Sequence, residues 1–392
     1  MPPATAQQLE ALDAQARRLL AVFTRAGYEH VPLAVIQPAG LFLDVVGEGL
    51  RARTYVFTDP DGEELCLRPD LTVPTCRLHL ARHPAGAIAA RYCYSGAAFR
   101  YQPAGADRAH PREFRQVGVE CFAAADREQA DAEVVGVIVA ALSDAGLERI
   151  QLRIGDLGLF HALLEALPLP PRWRRRLKHH FWRPEAFRAE LARLTSNGPP
   201  PMEDLTRTLA DRLDPGKREE AQAIVAQYLD RSGVELIGTR TLAEISDRLL
   251  AEVADAREPP LAVEHAALIE SYVAVRGPAT TASKKLGELA QRGKIDLTHA
   301  LAAFDRRLAL LQSAGVDIKD AAFSAEFGRN LEYYTGFVFE IIAPELGVKS
   351  PLAGGGRYDN LLADVGAPCS VPAVGSCIHI ERLLALLCAS SS

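Results

Sequence analysis

The stretch GRNLEYYTGFVFE, residues 328–340, decides the reading of this chain, together with AGGGRY at 353–358. Val338, Phe339, Ile341 and Ile342 are apolar β-formers and predict a buried strand. Tyr333 and Tyr334 stand just before it, where Gly336 lets the backbone turn. Gly354, Gly355 and Gly356 then bring bare backbone up to Arg357 and Tyr358. Planar tyrosine walls, their hydroxyls, an acid at Glu332 and close backbone approach suit a small polar zwitterion. A tyrosine-rich core strand followed by a glycine loop would read the same way on its own. The rest of the chain has to separate the two.

The chain has 392 residues, long enough for two or three domains and a large core. It is 48% hydrophobic and 24% charged, the ordinary balance of a globular protein rather than a disordered one. A formal charge of −6 gives no global pull toward nucleic acid. No apolar run reaches a membrane span, and the opening MPPATAQQLEAL lacks a signal peptide's basic start and apolar centre, so a cytoplasmic protein without a membrane partner is expected. Cys66, Cys76, Cys93, Cys121, Cys369, Cys377 and Cys388 never fall in a CxxC spacing. They read as reduced structural thiols, with no metal site and no disulfide framework.

Leu9, Leu12, Ala16, Leu19, Leu20 and Phe23 recur at helical spacing and predict an amphipathic helix ending near Gly27. A hairpin follows over Thr54–Thr58 and Glu64–Leu67, turned by DPDG, and runs straight into Arg68, Pro69, Asp70, Leu71 and Thr72. Residues 73–82 read as a helix, 90–94 and 96–101 as strands, and 114–122 as their antiparallel neighbour across a Pro/Gly/Arg loop at 102–111. A helix at 130–145 closes on Gly146, and a strand follows at 150–154. Helical periods then dominate to about residue 314, broken by prolines at 168–171 and 199–201. Strands return at 322–327, 338–342, around Leu352 and at 373–380, before a last helix at 381–388. The domain reading is a core in two parts, 1–156 and 315–392, around a mostly helical insertion at 157–314. Strands in runs with helices grouped elsewhere predict an α+β fold with an antiparallel sheet. No GxGxxG or GxxxxGK[ST] phosphate loop follows a strand.

Four packets of Arg, carboxylate, Gln and Tyr fall at strands or strand ends: Arg68/Asp70/Thr72, Arg100 with Arg112/Gln116/Glu120, Arg329/Tyr333/Tyr334 with Tyr358, and Glu381/Arg382. In 114–122, strand alternation puts Gln116, Gly118 and Glu120 on one face. That face could be a ligand floor or a solvated surface. Carboxylates such as Asp70 and Glu120 could hold an ammonium or an imidazole N–H, and arginines a carboxylate or phosphate. One basic run, Arg172 to Lys178, reads as a solvated helix face or a protein-docking surface rather than an RNA site.

LRPDLT, FRYQP…REFRQVGVE, GRNLEYYTGFVFE, AGGGRYD and VGSCIHIERLL together resemble, in the same order, segments of histidyl-tRNA synthetases. These include class II motifs 2 and 3 and the two histidine-specific segments, and they cover about 27–135 and 322–387. The resemblance implies a class II synthetase-like antiparallel sheet flanked by helices, usually dimeric. It implies a histidine pocket in which Asp70, Thr72 and Gln116 meet the α-amino group, with Asp70 where synthetases usually carry Glu. Glu120, Tyr333 and Tyr334 would surround the imidazole, Tyr358 would complete the wall, and Arg329 would face the carboxylate.

The chain departs from the synthetase pattern on the nucleotide side. Gln102 stands where the family has Glu, His379 stands where motif 3 has glycine, and Ala34 stands in place of motif 1's proline in a loose alignment. A glycine at such a strand position lets an adenine or ribose lie on the backbone, and an imidazole fills that space. Arg100, Arg112 and Arg382 still resemble the ATP-gripping arginines. The sequence also ends ten residues after Arg382, without the anticodon-binding domain expected after motif 3. This combination is similar to the synthetase paralogues that act as regulatory subunits of ATP phosphoribosyltransferase, at the first step of histidine biosynthesis. That resemblance implies a non-catalytic subunit without a cofactor, partnered by a short-form catalytic subunit, self-associating, inhibited through free histidine and without tRNA. A histidine-activating ligase or truncated synthetase is the alternative in another class, and a scaffold with a relic pocket is a third.

Overall fold

The structure, a computed structural model, describes residues 5–43, 48–103, 105, 110–147, 149–196, 204–232, 241–328, 332–347 and 350–390. The chain folds as two units, Met1–Ala166 with Glu270–Ser392, and Leu167–Ile269.

The first unit is built on a nine-stranded sheet. Its strands are β1 (Glu29–His30), β5 (Ala90–Phe99), β6 (Glu113–Phe122), β7 (Gln151–Asp156), β8 (Arg276–Pro278), β9 (Ala322–Ser324), β10 (Phe337–Ile342), β11 (Ala353–Arg357) and β12 (Ala373–His379). They lie in the order β1-β5-β6-β12-β11-β10-β7-β9-β8. From β5 to β7 every pairing is antiparallel, and only β1–β5 and β7–β9 are parallel. The expected antiparallel sheet is therefore its centre, with parallel strands added on either side. The two strands read at 90–94 and 96–101 are one, because Gly96 continues the ladder opposite Gln116. A smaller sheet holds β2 (Ile36–Pro38), β3 (Tyr55–Thr58) and β4 (Glu64–Leu67) in the order β2-β4-β3. Asp59 closes its hairpin by accepting from the backbone N–H groups of Asp61 and Glu63, both at 2.9 Å.

Helices α1 (Ala6–Arg25), α2 (Ala39–Leu43), α3 (Glu48–Arg51), α4 (Thr72–Arg82), α5 (Arg127–Asp144) and α6 (Leu157–Ala166) belong to this unit. Thr5 and Gln8 form a capping box on α1, and Asp126 caps α5, so both helices start where their side chains satisfy orphan N–H groups. Both pack on the sheet, whose one face carries Val117, Val119, Phe337 and Phe339, all fully buried.

The second unit holds α7 (Pro171–His180), α8 (Pro184–Thr195), α9 (Asp204–Leu209), α10 (Arg218–Arg231) and α11 (Leu242–Arg257). Helix α12 (Val263–Val273) runs across the boundary, and α13 (Ala279–Gly293), α14 (Thr298–Ser313), α15 (Leu361–Asp364) and α16 (Ile380–Ser390) lie in the first unit. The helical texture read over 157–314 is present, but α6, α13 and α14 group with the sheet. Periodicity identifies helices; it does not say what their apolar faces cover.

The basic run on α7 is not simply a solvated or docking face. Buried Asp255 on α11 accepts from Trp173 Nε1 at 2.8 Å, Arg172 Nε at 2.6 Å and Arg176. Arg193 on α8 joins Asp255 at 3.3 Å and Glu190 at 2.8 Å. Arg172 and Arg176 thus hold the helices of this unit together.

In the first unit a comparable network ties helices to the sheet. Asp131 on α5, fully buried, receives Arg307 Nε from α14 at 2.7 Å and Arg357 Nη2 from β11 at 2.7 Å. Arg307 also reaches Asp156 at 2.7 Å, and Arg357 reaches Asp359 at 2.8 Å. Removing one partner of such a cluster strands the others in low dielectric. Asp131→Ala is expected to cost about 3–5 kcal/mol, read as a lowered urea midpoint with unchanged slope.

Candidate ligand-binding site

The sheet face opposite the α1 and α5 layer carries Gly96, Gly118, Gly354, Gly356 and Gly375 on its central strands. Across the central strands, Tyr94 pairs with Gly118 and Gly118 with Cys377, while Tyr92 pairs with Glu120, Glu120 with Gly375 and Gly375 with Gly356. Paired residues share a face, so Glu120 and Tyr94 stand beside Gly118, Gly375 and Gly356, which carry no side chain. A Cβ at Gly118 would stand 2.6 Å from the Tyr94 hydroxyl, one at Gly375 would collide with the Glu120 carboxylate, and one at Gly356 would come within 3.0 Å of the Tyr334 ring. Glycine is required here for close approach.

Glu120 is fully buried and is the centre of the site. Its Oε1 accepts from Thr72 Oγ1 at 2.8 Å and from the Tyr94 hydroxyl at 3.0 Å, and its Oε2 accepts from the Tyr358 hydroxyl. Burial pushes its pKa up to about 8, against the three hydroxyls, which favour the charged form. The Tyr333, Tyr334 and Tyr358 rings stand over it as one cluster, with centroids 4.9, 5.7 and 6.4 Å apart. Each is almost completely buried.

Asp70 lies at the end of this floor, in the turn between β4 and α4. Its Oδ1 accepts from Val73 N–H at 3.2 Å, while its buried Oδ2 has no hydrogen-bond partner among the described residues. Burial raises its pKa, opposed first by Arg100. Gln116, on the Glu120 face of β6, is likewise buried, its Oε1 without a partner among the described residues. Buried acceptors without donors are rare in folded proteins, and these two call for a cationic or N–H-bearing ligand.

Of the residues expected in the pocket, Thr72, Glu120 and Tyr358 are joined by hydrogen bonds, with Tyr333 and Tyr334 packed on Tyr358 and Asp70 and Gln116 presenting acceptors. Arg329 lies outside the described residues. Tyr94 was missed, although its place two residues before Gly96 on an alternating strand would have put it on this face. Arg68, grouped with Asp70 in the sequence, serves the fold. Its guanidinium donates to the carbonyls of Ala97 at 2.8 Å, Leu33 at 2.6 Å and Ala34 at 3.1 Å.

The residues matched to a nucleotide site make contacts of their own. Arg100 Nε donates to Pro69 O at 2.8 Å, and its guanidinium lies 5.1 Å over the Phe114 ring. The His379 ring packs on the same phenyl at 5.3 Å. Arg382 Nη1 donates to Pro351 O at 2.5 Å, and burial, then Arg100, lowers its pKa to about 10. Gln102 accepts from Arg53 and donates to Pro111 O at 3.0 Å, while the Arg112 side chain is exposed.

An antiparallel sheet with this glycine floor, a buried acid under a tyrosine canopy and arginines at its edge defines a class II synthetase-like fold. The family described as Histidyl-tRNA synthetase matches residues 2–249 and 224–383. A regulatory subunit of ATP phosphoribosyltransferase from Agrobacterium fabrum is 38% identical over 95% of this chain and 96% of its own length. Its counterpart from Mesorhizobium japonicum is 35% identical over 95% and 96%. Among solved structures, a histidine–tRNA ligase subunit from Alicyclobacillus acidocaldarius superposes with TM-score 0.60 at 25% identity, covering 100% of this chain and 97% of that one. An ATP phosphoribosyltransferase regulatory subunit/histidyl-tRNA synthetase from Bacillus halodurans shares the fold, with TM-score 0.65 at 22% identity over 98% of this chain and 80% of that one. The chain belongs to the ATP phosphoribosyltransferase regulatory subunit family, within the histidyl-tRNA synthetase-like class.

Proposed function

We propose that this chain binds free histidine over Glu120 and reports its presence to a catalytic ATP phosphoribosyltransferase subunit, as a regulatory subunit that does no chemistry itself. The carrying observation is the pair of unpartnered buried acceptors, Asp70 Oδ2 and Gln116 Oε1, beside a carboxylate with three hydroxyl donors. An α-ammonium satisfies the first two and an imidazole N–H the third, between the tyrosine rings. Arg329 is assigned to the ligand carboxylate from the sequence match alone. A ligand without the imidazole would forgo its own bond to Glu120, a discrimination of about 1–3 kcal/mol.

Several features support loss of amino-acid activation. Arg100 and Arg382 spend donors on backbone carbonyls, Gln102 replaces an acid and is itself hydrogen-bonded, and His379 lies against Phe114 where a nucleotide would need bare backbone. The protein acts in the cytoplasm, as a dimer and without tRNA. Among the described residues no helix is long and apolar enough to cross a membrane. Histidine acts by linkage: if it prefers the inactive arrangement of the complex, it shifts the equilibrium by that preference, typically about 1–3 kcal/mol.

Two assays test this reading. Histidine-dependent exchange of pyrophosphate into ATP is expected to be absent, and robust exchange would make the protein a ligase instead. Mixed with the short catalytic subunit, the chain is expected to raise its activity and to make it histidine-sensitive. A pair that copurifies but ignores histidine would leave the pocket a relic.

A further inference from the structure

One residue bonds to both chain neighbours of Tyr358. The regular β10–β11 ladder ends at the Val338–Gly356 pair, so Tyr358 lies beyond it. There Thr335 takes over. Its backbone N–H donates to Arg357 O at 2.8 Å, and its Oγ1 accepts from the Asp359 N–H at 3.0 Å and donates to Arg357 O at 3.4 Å. Thr335 also follows directly on Tyr333 and Tyr334. The three rings over Glu120 thus come from two separate segments of chain, and Thr335 clasps those segments together beside the canopy.

The frame behind this clasp is well tied. Tyr358 N–H donates to Ala373 O at 2.9 Å, and Asp359 Oδ1 accepts from Ala373 N–H at 2.9 Å, so β12 holds both residues. The same Oδ1 accepts from Arg357 Nη1 at 2.8 Å, and Arg357 is bound in turn to buried Asp131 on α5. Tyr358 is fixed on that side through its flanking residues, and Thr335 fixes it from the side of the other two tyrosines. The Tyr358 hydroxyl on Glu120 Oε2 stands at the far end of its ring. A bond so placed holds only if supporting hydrogen bonds fix the residue to within about 0.5 Å. We infer that Thr335 is a positioning residue of the ligand site, whose hydroxyl sets Tyr358 on Glu120. Its effect on affinity rests on the reading of Glu120 as the partner of the ligand's imidazole.

Calorimetry with histidine, comparing wild type, Thr335→Val, Tyr358→Phe and the double variant, tests this. Valine keeps the shape of threonine and removes the hydroxyl. Thr335→Val is expected to weaken binding by up to about tenfold, no more than Tyr358→Phe does. It should add no loss to Tyr358→Phe, because both act through one hydroxyl on Glu120. Thr335→Ser restores the hydroxyl and is expected to restore affinity. Infrared titration of the Glu120 carboxyl in the ligand-free protein gives a readout that needs no histidine. Losing the Tyr358 donor disfavours the carboxylate, so in Thr335→Val the Glu120 pKa should rise further from about 8. A merely structural role would lower the urea midpoint and leave both the affinity of the folded protein and this titration unchanged, and that result overturns the inference. So does a Thr335→Val loss that serine leaves in place or that adds in full to the loss from Tyr358→Phe. If wild type binds no histidine, the functional reading falls, and the Glu120 titration alone decides the role of Thr335.

Discussion

Glu120→Gln is expected to abolish measurable histidine binding by calorimetry while the protein stays folded and still supports its catalytic partner. Glu120 is the only carboxylate in contact with Thr72, Tyr94 and Tyr358 among the described residues, and all three hydroxyls donate to it. The amide keeps the shape but loses the charge, and its NH2 faces groups arranged to donate. A lost charge-assisted bond in a fully buried site is worth about 3 kcal/mol or more, or at least about 100-fold in affinity. Tyr358→Phe removes one donor to the same carboxylate and should cost less, about tenfold. The assembled complex would then turn over normally and ignore histidine. Wild-type affinity in Glu120→Gln would place the effector site elsewhere.

Histidine affinity is expected to rise between pH 6 and pH 8 and then level off. Burial pushes the Glu120 pKa up to about 8 and raises that of Asp70, so the empty pocket holds protons that an ionised carboxylate would not. Binding the α-ammonium and a neutral imidazole N–H requires the carboxylates, so protons leave as the ligand enters. A free imidazole is mostly neutral above about pH 7, so the ligand's own titration does not cancel the effect there. One linked proton gives a gain on the order of tens-fold over those two pH units. For the empty protein the sign is opposite. An acid with a raised folded-state pKa contributes stability that is complete below its unfolded value and lost as pH rises through about 8. Calorimetry in buffers of different ionisation enthalpy counts the protons. A flat affinity from pH 6 to 8 would show that Glu120 is already charged in the empty pocket.

Much of the site was legible because strand periodicity is strict. Gln116, Gly118 and Glu120 were bound to share a face once 113–122 was a strand, and the three glycines at 354–356 declared a close approach. Tyr94 escaped because nothing in its local sequence separates a core tyrosine from one that reaches a neighbouring strand's carboxylate. Arg68 misled for the converse reason. It sits two residues from Asp70, yet its side chain turns away to the carbonyls of Leu33, Ala34 and Ala97. The arginines of α7 misled similarly, since their counter-charge, Asp255, lies some eighty residues later in the chain.

By itself the sequence determined the elements, the antiparallel centre of the sheet, the residue types of the pocket and the family. These follow from local backbone preference, from the period of side chains along a strand and from motifs kept in order. Only the tertiary structure decided which polar groups are spent and which are left over. Thr72, Tyr94 and Tyr358 converge on Glu120 from three elements, Arg100 and Arg382 are drawn to carbonyls, and Asp70 Oδ2 and Gln116 Oε1 have no donor among the described residues. Hydrogen-bond satisfaction is settled by what surrounds a buried atom in space, and around Glu120 those neighbours stand 26, 48 and 238 residues away along the chain.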